Sequence, residues 1–207
     1  MVIPKLYGLV LTGGKSRRMH HDKSALVYHG KEQSVYCYEL LSLFCDKVFL
    51  SNRRDQANEA GHKGYPQIHD TPPYLDKGPI GGILSAMNYD PKVSWFILAC
   101  DLPFVNSNTV EYLTERRDSE KLATSFLNNE GTRPEPLCAI YEAKSKAALE
   151  SYFQKGNLCP RQFLISINSD ARLLKQLEPH ELDNINLPEE YQAALNHLRN
   201  EKGHENY

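Results

Sequence analysis

Residues 94–100 read SWFILAC, six consecutive apolar side chains after one serine, with DPK shortly before the run and DLP straight after it. A strand that is apolar on both sides needs cover on both faces, which places it inside a sheet sandwiched between helices. The flanking sequence repeats the theme. Short β-rich runs lie at 5–11 (KLYGLVL), 47–51 (KVFLS), 66–70 (PQIHD), 121–127 (KLATSFL) and 136–141 (PLCAIY). Between and after them run segments with helical spacing: 33–44, 53–61 ending at Gly61, 78–89, 106–117, 142–156 stopped by glycine, 160–167 and 187–200. Strands alternating with helices predict an α/β three-layer sandwich with a mostly parallel central sheet. Ligands of such sheets bind at the carboxyl ends of the strands, where strand order reverses. At roughly 100–200 residues per domain, the expectation is one domain over 1–200 and a polar tail over 201–207.

Composition narrows the partners. The formal charge is −2, so no global field favours nucleic acid, and any affinity for anions has to be local. No apolar run approaches the ~20 residues that span a bilayer, and MVIPKLYGLVL lacks the apolar core of a signal peptide. The five cysteines are odd in number and show no C-x-x-C spacing. They read as buried reduced thiols, and together these features point to the cytoplasm.

The local anion site is LTGGKSRRMHHDKSAL, residues 11–26. Leu11 ends the first strand, so Thr12, Gly13 and Gly14 stand at its carboxyl edge. Glycines there let the backbone turn sharply and approach a ligand, and successive N–H groups can form an anion-binding concavity. Lys15, Arg17, Arg18 and Lys23 follow within ten residues. That many cations suit a polyphosphate better than one carboxylate. The loop is neither G-x-x-x-x-G-K-[ST] nor G-x-G-x-x-G. Taken alone, it could equally be a surface turn with a solvated basic cluster.

Further segments give it a context. LTGGKSRRM followed by DK resembles the signature L-x-G-G-x-S-x-R-M-G-x-D-K of the MobA-like nucleotidyltransferases, whose type member is the molybdenum cofactor guanylyltransferase. SNRRDQ, HD at 69–70, GPIGGILSAM, ACDLPF, RPEPLCAIY and DNINLPEE are similar to the family's other motifs. The resemblance spreads from Leu11 to Glu190. It implies the Rossmann-like nucleotidyltransferase (nucleotide-diphospho-sugar transferase) fold. The implied reaction is transfer of GMP from GTP to the phosphate of molybdopterin or Mo-molybdopterin, releasing pyrophosphate. Carried over by position, Leu11, Thr12, Gly13, Gly14, Lys23, Asn52, Asp70 and Asp101 would bind the nucleotide. Gly78, Gly81 and Gly82 would leave room for the pterin, and Asn184 and Asn186, alternating on one strand, would reach it.

Asp101 follows the most apolar strand, and Pro103 then takes the chain out of strand geometry. A carboxylate there suits Mg²⁺ bridging substrate phosphates, and the resemblance gives Asp101 that metal role; capping the next turn is the plainer reading. Arg18, Lys23 and Asp101 are the expected catalytic set. No general base is needed, because a phosphate monoester is mostly a dianion at pH 7. Arg133 and Arg161 suit a pterin phosphate or a solvated surface equally. His20 stands where the family writes glycine. A CTP-dependent relative and a non-catalytic nucleotide-binding adaptor of the same fold are the competing readings. In the family context, a molybdenum-insertion protein is a partner that would deliver the pterin.

Overall fold

The computed structural model describes residues 3–12, 23–57 and 62–204. Among them are seven strands in one sheet: β1 Leu6–Leu11, β2 Lys47–Asn52, β3 Gln67–His69, β4 Ser94–Ala99, β5 Ala123–Leu127, β6 Pro134–Tyr141 and β7 Ala171–Leu174. Their order is β3-β2-β1-β4-β6-β5-β7. All neighbouring pairs are parallel except the two made by β6, which runs antiparallel to β4 and β5. The helices are α1 Gln33–Ser42, α2 Pro79–Tyr89, α3 Ser107–Glu115, α4 Lys146–Gln154, α5 Pro160–Ile167 and α6 Pro188–His204.

Alternation along the strands divides the core into two layers. Tyr7, Leu9, Trp95 and Ile97 pack with Ile80, Ile83, Leu84 and Met87 of α2, Leu149 of α4 and Phe163 and Leu164 of α5. Leu6, Val10, Phe96 and Leu98 face the other way, onto Cys37, Leu40 and Leu41 of α1 and Val110 and Leu113 of α3. Every residue of β4 is buried, as a strand covered on both faces requires. A smaller third cluster joins Ala194 and Leu198 of α6 to Tyr28 and Ile185. The Tyr191 hydroxyl donates to the Val27 carbonyl at 3.1 Å, which fastens α6 beside the start of the chain's first crossover.

Local chemistry sets the helix ends. The Asn106 side chain accepts from the N–H groups of Asn108 and Thr109 at 2.9 and 3.2 Å and opens α3. Gly156, at φ +85°, lies two residues past the end of α4. The structure departs from the expected elements at four places. Of the helix expected over 53–61, the described residues form a single 3-10 turn, Arg54–Gln56, with residues 58–61 outside the described set. Residues 183–187 are not a strand; they form an irregular lead into α6. Strand β7 is an addition: ARLL is short, lies at the sheet edge and leaves Arg172 and Leu173 exposed, so no apolar run announces it. Helix α6 continues to His204, into the segment expected as a polar tail.

Candidate active site at the strand-order reversal

The chain moves from β1 through β2 to β3 on one side, then returns to lay β4 on the other side of β1. A crevice therefore opens at the carboxyl ends of β1 and β4. Leu11 pairs with Ala99, and the Cys100 N–H donates to the Leu11 carbonyl at 3.3 Å. The start of the glycine-rich loop and Asp101 thus leave the sheet side by side. Thr12 is buried; its N–H and its hydroxyl both donate to the Ser51 carbonyl, at 3.0 and 2.9 Å. Gly13, Gly14, Lys15, Arg17, Arg18, His20 and Asp22 lie outside the described residues. Lys23 opens a 3-10 turn that runs to Ala25.

Asn52 ends β2, beside Leu11 and Thr12, and is 3% exposed. Its Nδ2 donates to Gln67 Oε1 at 2.9 Å, while its Oδ1 has no hydrogen-bond partner among the described residues. The backbone carbonyl of Asn52 lies 3.2 Å from His69 Nδ1.

Asp70 follows β3 and sits against the first turn of α2. Burial pushes its carboxyl up to about 6, the Asp76 carboxylate pushes it the same way, and His69 pulls it down. Gly78 adopts φ +67° just before the helix, with open space where a side chain would stand. The room left by the other two glycines is taken by the chain itself. A Cβ at Gly81 would stand 2.4 Å from the Tyr74 carbonyl oxygen and 3.4 Å from Asp70 Oδ2. One at Gly82 would stand 2.7 Å from Ser51 Oγ and 3.0 Å from Leu11 Cδ2. Gly82 lets α2 approach β1 and β2 closely, and Gly81 lets it approach the segment from Asp70 to Tyr74.

Asp101 is half-buried, and its backbone carbonyl accepts from the Ile185 N–H at 2.9 Å. This bond brings the segment of Asn184 and Asn186 to the end of β4. Asn184 is exposed, and its Oδ1 accepts from Asn186 Nδ2 at 3.1 Å. Glu190 Oε2 accepts from the N–H groups of Asn186 and Leu187 at 2.6 and 2.9 Å, so Glu190 caps α6.

Asn184 and Ile185 also line a cavity of about 590 Å³ with Phe104, Glu135, Arg161 and His197. Arg161 Nη2 reaches Glu135 Oε2 at 3.0 Å, and Arg161 Nε donates to the Pro134 carbonyl at 3.2 Å. Burial raises the Glu135 carboxyl, with the Leu137 N–H and Arg161 opposing. Arg133, in contrast, is exposed in the β5–β6 connection. Sequence reasoning missed Gln67, His62 and Glu135. Gln67 lies inside the quoted PQIHD and Glu135 inside RPEPLCAIY, but single polar residues in a strand run carry no mark of their partners.

The half-buried Asp101 carboxylate is an oxygen donor of the type a hard divalent cation takes. Among the described residues, no three His, Cys, Asp or Glu side chains gather as a complete metal cage. One carboxylate at a strand end suits a divalent cation that takes its other oxygens from phosphate and water better than one that demands an all-protein shell. Among the described residues, no helix is long and apolar enough to cross a membrane.

Comparison with known proteins agrees with this geometry. A molybdenum cofactor biosynthesis bifunctional protein from Synechocystis sp. is 39% identical over 90% of this chain, and the chain spans about half of it, 52%. A molybdenum cofactor guanylyltransferase from Syntrophotalea carbinolica is 30% identical over 77% of this chain and 73% of its own length. The crystal structure of molybdopterin-guanine dinucleotide biosynthesis protein A from Archaeoglobus fulgidus superposes with a TM-score of 0.74, covering 94% of this chain and 99% of that one at 24% identity. The family profile of the MobA-like NTP transferase domain matches residues 8–177, and the chain belongs to that family.

Proposed function

We propose that this chain transfers GMP from GTP to the phosphate of molybdopterin or its metal-loaded form, releasing pyrophosphate. The observation that carries the reading is the pairing of Leu11 with Ala99, which sets the start of the glycine-rich loop, at Thr12, next to the end of β4 and Asp101 at the strand-order reversal. The names borne by relatives over most of their length support the choice of substrates.

In this reaction a phosphate oxygen of the acceptor attacks the α-phosphorus of GTP. The new P–O bond forms as the bond to the β-phosphate oxygen breaks, and the electron pair leaves with pyrophosphate. The acceptor is already mostly a dianion at neutral pH, so no side chain has to remove a proton. The protein's task is positioning and charge neutralisation. In this reading Leu11, Thr12, Gly13, Gly14, Asn52 and Asp70 hold the nucleoside side, and Arg18 and Lys23 balance the triphosphate. Asp101 would hold Mg²⁺, which when bound neutralises charge on the phosphates. Asn184 and the cavity beside it, with Arg161 held by Glu135, would take the acceptor. The Ile185 bond to Asp101 supports a single continuous site for both substrates.

A molybdenum-insertion protein that delivers the pterin is the partner this reading implies. Five cysteines outside any disulfide, three of them buried, support a cytoplasmic location.

The test is pyrophosphate release with Mg²⁺ and molybdopterin, offering GTP and CTP separately, beside Asp101→Ala. Release with GTP that the variant loses is the expected result. Release only with CTP changes the product. No release with either nucleotide, and none restored by His20→Gly, overturns the enzymatic reading in favour of a nucleotide-binding adaptor.

A further inference from the structure

The amide of Asn52 stands between two neighbours that make opposite demands on it. Gln67 Nε2 donates to the carbonyls of Ala57 and His62 at 3.1 and 2.8 Å, which commits both of its hydrogens. Its Oε1 is therefore an acceptor turned to Asn52, and it takes the Nδ2 hydrogen at 2.9 Å. His62 Nδ1 lies 3.0 Å from the Gln56 carbonyl, which can only accept, so this nitrogen carries its hydrogen. The same nitrogen lies 3.2 Å from Asn52 Nδ2, one donor facing another.

Turning the Asn52 amide over would satisfy His62. It would also bring Asn52 Oδ1 to the position 2.9 Å from Gln67 Oε1, oxygen against oxygen. Gln67 cannot turn over to relieve this without losing both of its bonds to backbone carbonyls. Gln67 therefore decides the orientation of Asn52, as amide orientations are decided by their networks. The atom left over is Asn52 Oδ1, buried and with no partner among the described residues. Leaving an acceptor in that state is costly, and a ligand that offers a donor recovers the cost.

We propose that Gln67 is a positioning residue of the nucleotide site. By holding the Asn52 amide in the one orientation that keeps Oδ1 for a donor of the bound nucleoside, Gln67 sets which nucleotides the site prefers. This rests on the guanylyltransferase reading. The donor is the 2-amino N–H of the base or the 2′-O–H of the ribose, and the nucleotides chosen for the test separate the two.

Pyrophosphate release and equilibrium nucleotide binding are measured for the wild type, Gln67→Met and Gln67→Glu, each checked by thermal unfolding. The nucleotides are GTP, ITP, which lacks the 2-amino group, and 2′-deoxy-GTP. The wild type is expected to prefer GTP about tenfold over one of the two analogues. Loss against ITP identifies the base amino group, and loss against 2′-deoxy-GTP identifies the ribose. Gln67→Met removes the acceptor, so the preference should fall to about one- to threefold, with KM for GTP raised and kcat little changed. Gln67→Glu, protonated as burial favours, keeps an acceptor toward Asn52 and one hydrogen for the Ala57 and His62 carbonyls, and should keep the preference.

A folded Gln67→Met with the full wild-type preference overturns the inference. So does a folded Gln67→Glu that loses it, and this second variant decides the matter alone if the first does not fold. A wild type that transfers GMP with no preference among the three overturns the positioning role and leaves the proposed function standing. A wild type that transfers nothing, yet binds GTP with a preference that Gln67→Met abolishes, does the reverse.

Discussion

The Ile185 N–H donates to the carbonyl of Asp101 at 2.9 Å, so the residue at the end of β4 and the lead into α6 form one unit. Ile185 is also 6% exposed and packs with Tyr28, Ala194 and Leu198. The backbone of Asp101 is thus held by packing that does not involve its carboxylate. Asp101→Asn should keep this bond and the fold, with a melting temperature within a few degrees of wild type. Nucleotidyl transfer should fall by roughly 10²–10³-fold, the size of losing one fixed electrostatic group at a reacting centre. A variant that melts much earlier would show that the carboxylate is structural.

Gly81 and Gly82 differ in what surrounds them, and their alanine variants should differ too. At Gly82 the nearest atom is the Ser51 hydroxyl, at 2.7 Å from an added Cβ. Gly82→Ala should destabilise by about 1–3 kcal/mol, and Ser51→Ala in the same chain should recover part of the loss. At Gly81 the nearest atom is the backbone oxygen of Tyr74, at 2.4 Å, which cannot rotate away. Gly81→Ala should cost more, and Ser51→Ala should not rescue it. Urea unfolding of the two singles and the two doubles checks the set.

Asp70 has a carboxyl raised from 3.8 to about 6, mainly by burial. A raised acid binds more protons in the folded state than in the unfolded state between these two values, so stability falls as pH rises through that window. Below the window the carboxyl is protonated in both states and the penalty is absent; above about pH 6 it is complete. Asp70→Asn should therefore stabilise the protein, and more at pH 8 than at pH 5, as read from urea midpoints. An equal gain at both values would mean that the charge of Asp70 is not what the fold resists.

Arg117 and Glu142 form a buried pair at the far end of β4, away from the crevice. Arg117 Nε and Nη2 donate to the two carboxylate oxygens at 2.7 and 2.8 Å, and Ser94 Oγ donates to Glu142 Oε2 at 2.6 Å. Arg117 Nη2 also donates to the Pro4 carbonyl at 3.0 Å, tying the chain's start to β4 and the end of β6. Removing one partner leaves the other charged, buried and unmet. Arg117→Met should cost about 3–5 kcal/mol. The folded fraction should bind nucleotide normally, which calorimetric titration at low temperature would check.

The seven-residue run SWFILAC determined by itself that a strand would be covered on both faces, and the alternating runs around it determined the α/β class. Apolar burial is non-directional and scales with area, so a run of apolar residues reveals its fate without its partners. The residues LTGGK and ACDLPF were legible as a site for a similar reason: glycine and a strand-end carboxylate have few local uses. Tertiary structure alone decided the rest. Strand order put Leu11 beside Ala99, and no local pattern encodes which strands become neighbours. The close approach at Gly81 and Gly82 was also decided there, because their neighbours Tyr74 and Ser51 meet them only in space. The edge strand β7 depended on β5 for its hydrogen bonds, and four residues carry too little periodicity to announce it. Gln67 acquired its part from two carbonyls of the connection before it and from the amide of Asn52 that ends β2. Hydrogen bonds are directional and short, so their meaning appears only once the chain has brought donor and acceptor within 3 Å or so.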